Sequence, residues 1–380
     1  MGNGASTEIE IFAEGELEAE FKRRGGAGDI SIKKLIKKGY NDVIQTVIRP
    51  TRKRYDVERD LGEDVFDLPS PVPQAHHGRD EAKEVADGQP IVRRRDFELE
   101  NDRGLKLQCS QWHIYADEQS KHPRTTPCLV YLHSNMGSRC DALRIRDHAL
   151  QRGLSVFAFD FSGSGLSDGI YVTMGWNESK DLHFVLQYLE EDDSVESISF
   201  YAHSMGTFPA IVNVACRSIV KSKSLKAKLD SLPSYFRSAN ANVMGKPIRG
   251  MVLDGAYANM SLLTEELLVA VQEEGFKVPL SLLKLACAVV RQSVKKRADV
   301  DLELLRPIDF VKACRIPALF LTGEDDRYVG PHHSDLLMEK YGGPGVIMRV
   351  PGDHYTPRKD TIYADAFDFL LGAIRSVGMH

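Results

Sequence analysis

The run Ala202-His203-Ser204-Met205-Gly206 constrains this chain more than any other, because it closes an apolar segment at 198–202 and opens an apolar stretch with helical spacing. A central Ser flanked by small residues is the pattern of a strained strand-to-helix turn that lifts a hydroxyl clear of a sheet. The flanking residues must be small because the strand and helix backbones approach too closely to admit longer side chains. Ala202 stands where the strict G-x-S-x-G pattern has Gly.

Two further pieces lie downstream. Residues 317–322 read as a buried strand, and Gly323-Glu324-Asp325-Asp326 follows where a loop leaves its end. A second apolar run, 346–350, precedes Pro351-Gly352-Asp353-His354. The order Ser, acid, His, with acid and His each just past a strand, is that of the α/β-hydrolases and not that of chymotrypsin or subtilisin.

Each position has a chemical reason. A Ser hydroxyl is a weak nucleophile at neutral pH, so Ser204 needs a base, and His354 is the candidate. A carboxylate must then hold one imidazole tautomer. Asp326, with Val329 three places on, is the first choice; Asp325 is the alternative, and Asp254, after the apolar 250–253, ranks behind both. Negative charge on a substrate carbonyl oxygen calls for fixed backbone N–H donors. Met205, following the Ser, supplies one, and Asn135, after a strand at 128–132, is expected to supply the other. His76-His77 and His332-His333 read as ordinary surface or packed residues.

These motifs, together with Phe-Ala-Phe-Asp-Phe-Ser-Gly-Ser-Gly-Leu-Ser at 157–167 and Tyr-Leu-His-Ser-Asn-Met-Gly-Ser-Arg at 131–139, resemble the α/β-hydrolase superfamily over residues 91–380. Within it the chain is similar to the Bem46-like branch, which includes membrane-tethered depalmitoylases, and to protist hydrolases labelled S9-type peptidases. The resemblance implies an eight-stranded, mostly parallel sheet wrapped by helices, no cofactor and an acyl-enzyme intermediate. Ser134 departs from the family's His-Gly-Asn, and a Ser there disfavours a left-handed backbone beside Asn135. The glycines at 163 and 165 do not complete a dinucleotide fingerprint, so that loop reads as a tight turn beside the site.

Organisation follows from punctuation. Residues 92–100 and 105–114, split by Asn101-Asp102-Arg103-Gly104, read as a hairpin opening the sheet. Residues 61–90, rich in Pro, Asp and Gly, read as a linker or draped segment, giving an N-terminal extension at 1–90 and a hydrolase domain at 91–380. Within that domain, 217–246 is a polar insertion and 260–313 a helical lid, whose leucine stripes line either an acyl-chain pocket or ordinary core.

The net charge of −5 argues against general nucleic-acid binding. Six Cys without paired metal spacing read as reduced thiols of a cytosolic protein with no metal site. The N-terminus lacks the apolar core of a signal peptide, and no stretch is long enough to span a bilayer. It does begin Met-Gly-Asn-Gly-Ala-Ser, which fits the signal for myristate on Gly2. One such chain holds a membrane weakly, with an association constant of about 10⁴ M⁻¹. A second signal is at hand: residues 22–54 carry eleven Lys or Arg against two Asp, with apolar residues at helical spacing. The same segment also suits a helix packed on the body, and six Glu at 8–20 oppose anionic lipid.

The sequence therefore predicts a serine hydrolase of esters or thioesters, peripheral on a cytosolic membrane face, with an acylated protein or lipid as substrate. An S9-type peptidase is the alternative enzyme, weakened by the absence of any β-propeller-like repeat. A catalytically silent membrane-associated scaffold is the alternative without catalysis.

Overall fold

The computed structural model describes residues 48–70, 89–221, 245–273 and 280–376. Gly2, most of the basic segment and nearly all of the polar insertion lie outside these residues.

Nine strands form one sheet in the order β1-β2-β3-β5-β4-β6-β7-β8-β9. They are β1 (Val65–Asp67), β2 (Ile91–Glu100), β3 (Lys106–Tyr115), β4 (Thr126–Leu132), β5 (Ser155–Phe159), β6 (Val195–His203), β7 (Ile248–Asp254), β8 (Ala318–Gly323) and β9 (Gly345–Val350). The first three and the β3–β5 pair are antiparallel; from β5 across to β9 all pairs are parallel. Strands β2, β3, β4, β6, β7, β8 and β9 fall on strands and apolar runs read from sequence. Strand β1 arises from the stretch read as linker, where three residues pair with Ile91–Arg93 and show no periodicity of their own.

The central strands are apolar without alternation because helices cover both faces. Around the sheet lie α1 (Val57–Leu61), α2 (Leu143–Leu150), α3 (Trp176–Glu191), α4 (Thr207–Lys221), α5 (Met260–Glu273), α6 (Leu280–Ala298), α7 (Pro307–Phe310), α8 (His332–Lys340) and α9 (Asp360–Arg375). On one face Val130, Phe157, Phe159, Phe200 and Phe320 pack with Leu182, Val185 and Leu186 of α3 and Ile211 of α4. On the other, Leu129, Val156, Tyr201, Val252 and Leu319 meet Ile145 of α2 and Phe367 and Leu370 of α9. Successive residues thus go to opposite cores, and each fully buried Phe contributes roughly 1.5–3 kcal/mol of transfer free energy.

Residues before the boundary drawn at 91 are stitched to this body. Ile48 is buried with Val294 of α6, and its carbonyl accepts from Val172. Tyr55 donates to Asp160 at 2.6 Å and accepts from Arg139 Nε at 2.6 Å. Arg52 donates to the Ser167 and Gly169 carbonyls, and Lys53 pairs with Asp141 at 2.7 Å. Two cations of the basic segment are therefore engaged with the body, Arg52 half-buried and Lys53 exposed. None of the described helices is long and apolar enough to cross a membrane.

Candidate active site

The C-terminal ends of the parallel strands converge on one edge, where α/β sheets place their chemistry. Strand β6 runs into a short turn at Ser204–Gly206 and then α4. Ser204 sits there at φ 52°, a left-handed conformation that a non-glycine residue adopts only under constraint from its surroundings. The constraint is close packing: a Cβ on Gly206 would lie 2.4 Å from the Leu132 carbonyl oxygen. Ala202 fits without exposure to solvent, so the departure from Gly at that position is accommodated.

The Ser204 hydroxyl lies 2.8 Å from His354 Nε2, and His354 Nδ1 lies 2.7 Å from Asp326 Oδ2. The imidazole and the carboxylate are buried, while Ser204 is partly exposed. Asp326 Oδ1 accepts from the backbone N–H groups of Tyr328 at 2.9 Å and Val329 at 2.7 Å. One carboxylate oxygen therefore organises its own loop while the other addresses the imidazole. Asp325, the alternative acid, is exposed, and only its backbone participates, donating to Gly352 at 3.1 Å. Asp254 is committed elsewhere, in a buried pair with Arg358 at 2.8 Å.

Three supports of this chain carried no distinct sequence signal. Gly255, at φ 67°, lies against the imidazole, where a Cβ would come 2.8 Å from His354 Cε1. His203 Nε2 donates to the His354 carbonyl at 3.1 Å, fixing the histidine's backbone. Asp353 accepts from the N–H of Thr356 at 2.7 Å and of Tyr355 at 3.0 Å, closing the turn that carries His354. A glycine after a strand and an aspartate in a turn are too common to be singled out unaided.

The expected oxyanion donors occupy neighbouring loops. Met205 is buried directly after Ser204, and Asn135 is partly exposed at the end of β4. The loop is held from within: His133 Nδ1 donates to the Ser134 carbonyl at 2.6 Å, and its Nε2 accepts from Phe161 N–H at 3.0 Å. That pattern requires a neutral ring, and burial pushes the His133 pKa down accordingly. Ser138 caps the short helix at Arg139–Ala142 in a box with Asp141. Ser134 is not among the left-handed residues, so its side chain meets no backbone penalty there.

His332 is exposed and His333 packed, and the two share one partner. Their Nε2 atoms lie 2.8 and 2.9 Å from the two oxygens of Glu266 on α5. This is the one cluster among the described residues with metal-ligand spacing. However, Ala258 N–H points at His333 Nδ1 at 3.2 Å, which leaves the proton on Nε2 and makes that atom a donor to Glu266. The arrangement is a hydrogen-bonded latch between α5 and α8.

No family model and no curated relative matches the sequence. Among solved structures, an esterase of Pyrococcus furiosus, Pf2001, superposes with a TM-score of 0.51 at 16% identity, covering 80% of this chain and 98% of that one. The chain has the α/β-hydrolase fold. Two further α/β-hydrolase-like matches are Est1E of Butyrivibrio proteoclasticus with ferulic acid bound (TM-score 0.49, 16% identity, 73% of this chain, 99% of that one) and the esterase EaEST of Exiguobacterium antarcticum (0.45, 13%, 73% and 100%). At such identities the likeness speaks to the fold alone.

Proposed function

We propose that the protein is a serine hydrolase that cleaves esters or thioesters through an acyl-enzyme. The observation that carries this reading is the continuous hydrogen-bonded chain from the Ser204 hydroxyl through His354 to Asp326, launched from a residue at φ 52°. In this reading Ser204 attacks the acyl carbon as its proton passes to His354 Nε2. Asp326 holds the Nδ1–H tautomer and stabilises the imidazolium. The N–H groups of Met205 and Asn135 receive the oxyanion, a contribution of about 2.7–4 kcal/mol per donor in comparable sites. Deacylation repeats the sequence with water in place of the departed alcohol or thiol. No metal or cofactor is required by these steps.

Ester chemistry as the reaction class is in keeping with the fold's likeness to the esterase Pf2001. The finer assignment is also a proposal: an acylated membrane protein or lipid as substrate, with Gly2 myristoylated, the protein peripheral on a cytosolic membrane face and residues 91–380 forming the catalytic body. Its support is the N-terminal sequence and the basic segment that follows, reduced by the two cations engaged with the body.

A fluorophosphonate probe tests the core of this reading. Wild-type protein should label covalently and Ser204→Ala should not, with both folded by circular dichroism; equal labelling would refute the assignment. A panel of thioesters, aryl esters and peptide amides then separates the esterase from the peptidase, and turnover of no activated ester would favour the silent scaffold. For Gly2, the Ala variant should move from the membrane pellet to the soluble fraction.

A further inference from the structure

We infer that Tyr328 and Tyr355 form the surface against which the departing alcohol or thiol lies, and that they favour a bulky aromatic or apolar leaving group. The inference rests on the acyl-transfer reading above. His354 is only 2% exposed although Ser204, which it addresses, is partly exposed. Gly255 and His203 lie against it from the sheet side, with the His203 ring 5.4 Å away. Tyr355 lies perpendicular at 5.0 Å between ring centroids, and Tyr328 is tilted at 6.1 Å. The two tyrosines meet each other edge to face at 5.3 Å.

Despite covering a buried ring, Tyr328 and Tyr355 are themselves 54% and 42% exposed. Their backbones are pinned, Tyr328 by Asp326 and Tyr355 by Asp353, so the rings stand on fixed turns. Large aromatic faces held in solvent beside the base are available to a ligand at little cost in ordering.

The chemistry says which part of the substrate meets them. In acylation the Oγ–C bond forms and the Oγ proton goes to Nε2. As the tetrahedral intermediate collapses, the bond from carbon to the leaving oxygen or sulfur breaks, the electron pair departs with that atom, and Nε2 returns the proton to it. The leaving heteroatom must therefore come within hydrogen-bond reach of Nε2. Whatever that atom carries continues outward past the imidazole, where these two rings are exposed. In deacylation water takes the same place, so the rings contribute less to that step.

Acetyl esters of ethanol, phenol and 4-phenylphenol test the assignment when kcat/KM of each variant is divided by the wild-type value for the same ester, which cancels intrinsic reactivity. The double variant Tyr328→Ala/Tyr355→Ala should lower the ratio about three- to tenfold for the biphenyl ester, less for phenyl and least for ethyl. Phe at both positions should restore most of the loss, and acetyl-enzyme breakdown should change less than its formation. Equal losses for all three esters would overturn the assignment, leaving the rings as supports of His354. Ser204→Ala, run alongside, reports separately on the acyl-enzyme: wild-type turnover by that variant overturns the underlying reading, whereas its loss with leaving-group-independent ratios overturns the tyrosine assignment alone.

Discussion

Asp254 and Asp326 stand at the ends of neighbouring parallel strands, both buried, both reached by the loop after β9, and they meet different partners. Asp326 receives the imidazole of His354, and Asp254 receives the guanidinium of Arg358 four residues further along. A guanidinium keeps its charge at any pH a protein survives, so the Asp254 pair can only hold the loop down. An imidazole has a second nitrogen that can accept and return a proton, and Nε2 here faces the Ser204 hydroxyl, so the Asp326 pair can take part in proton transfer. Two carboxylates alike in burial and placement are thus divided, in the proposed mechanism, into anchor and orienting acid by what one loop presents to them.

The comparison is broken most directly by exchanging each acid for its amide. Asp326→Asn should lower kcat by about 10⁴, because the amide can hold the wrong imidazole tautomer, while the unfolding midpoint changes little. Asp254→Asn strands the buried Arg358 and should cost about 3–5 kcal/mol of stability. Its activity per folded molecule, read by active-site titration, should fall far less. If Asp254→Asn instead loses activity as steeply as Asp326→Asn while remaining stable, the division is wrong.

A smaller effect comes from the residue between the two pairs. Gly255→Ala puts a methyl group 2.8 Å from His354 Cε1 and forces alanine to φ 67°. The imidazole must move, and a displacement of about 1 Å at a reacting group costs on the order of 10²-fold. Turnover should fall by roughly that factor with the Asp254–Arg358 pair intact; unchanged turnover would show that the ring has room to spare.

How much of this was legible in the sequence follows from the same physics. Central strands buried on both faces read as apolar runs, and Ser204, Asp326 and His354 each fall just past one, so their order along the chain gave their order across the sheet. Asp326 could be preferred to Asp325 through Val329, whose amide does bond the Asp326 carboxylate. The Asp254–Arg358 pair was not legible, because its members lie 104 residues apart and neither sits in a motif. Strand β1 was hidden because three residues cannot establish a period. The packing of Ile48, Arg52 and Tyr55 on the body was obscured by their place in a strongly basic stretch, where charge suggests a surface partner.

Glu266 extends the comparison to a third carboxylate, one that faces two imidazoles yet lies outside the catalytic chain. If contact with histidine alone conferred a role in turnover, removing it should matter as Asp326 does; we expect Glu266→Gln to alter kcat less than twofold. Its signature should be in stability and pH. Burial is the main influence on His333 and pushes its pKa below the usual 6.5, while Glu266 pulls it back up. Below pH 6.5 the unfolded chain therefore binds more protons here than the folded one, so stability falls as pH falls. Without Glu266 the buried ring is harder still to protonate, the difference in bound protons grows, and the fall steepens. At pH 7.5, where both forms are neutral, the variant should lie within about 1 kcal/mol of wild type. Urea unfolding at pH 7.5 and 5.5 measures this, and a difference between variant and wild type that shrinks on acidification would show that Glu266 does not act through His333.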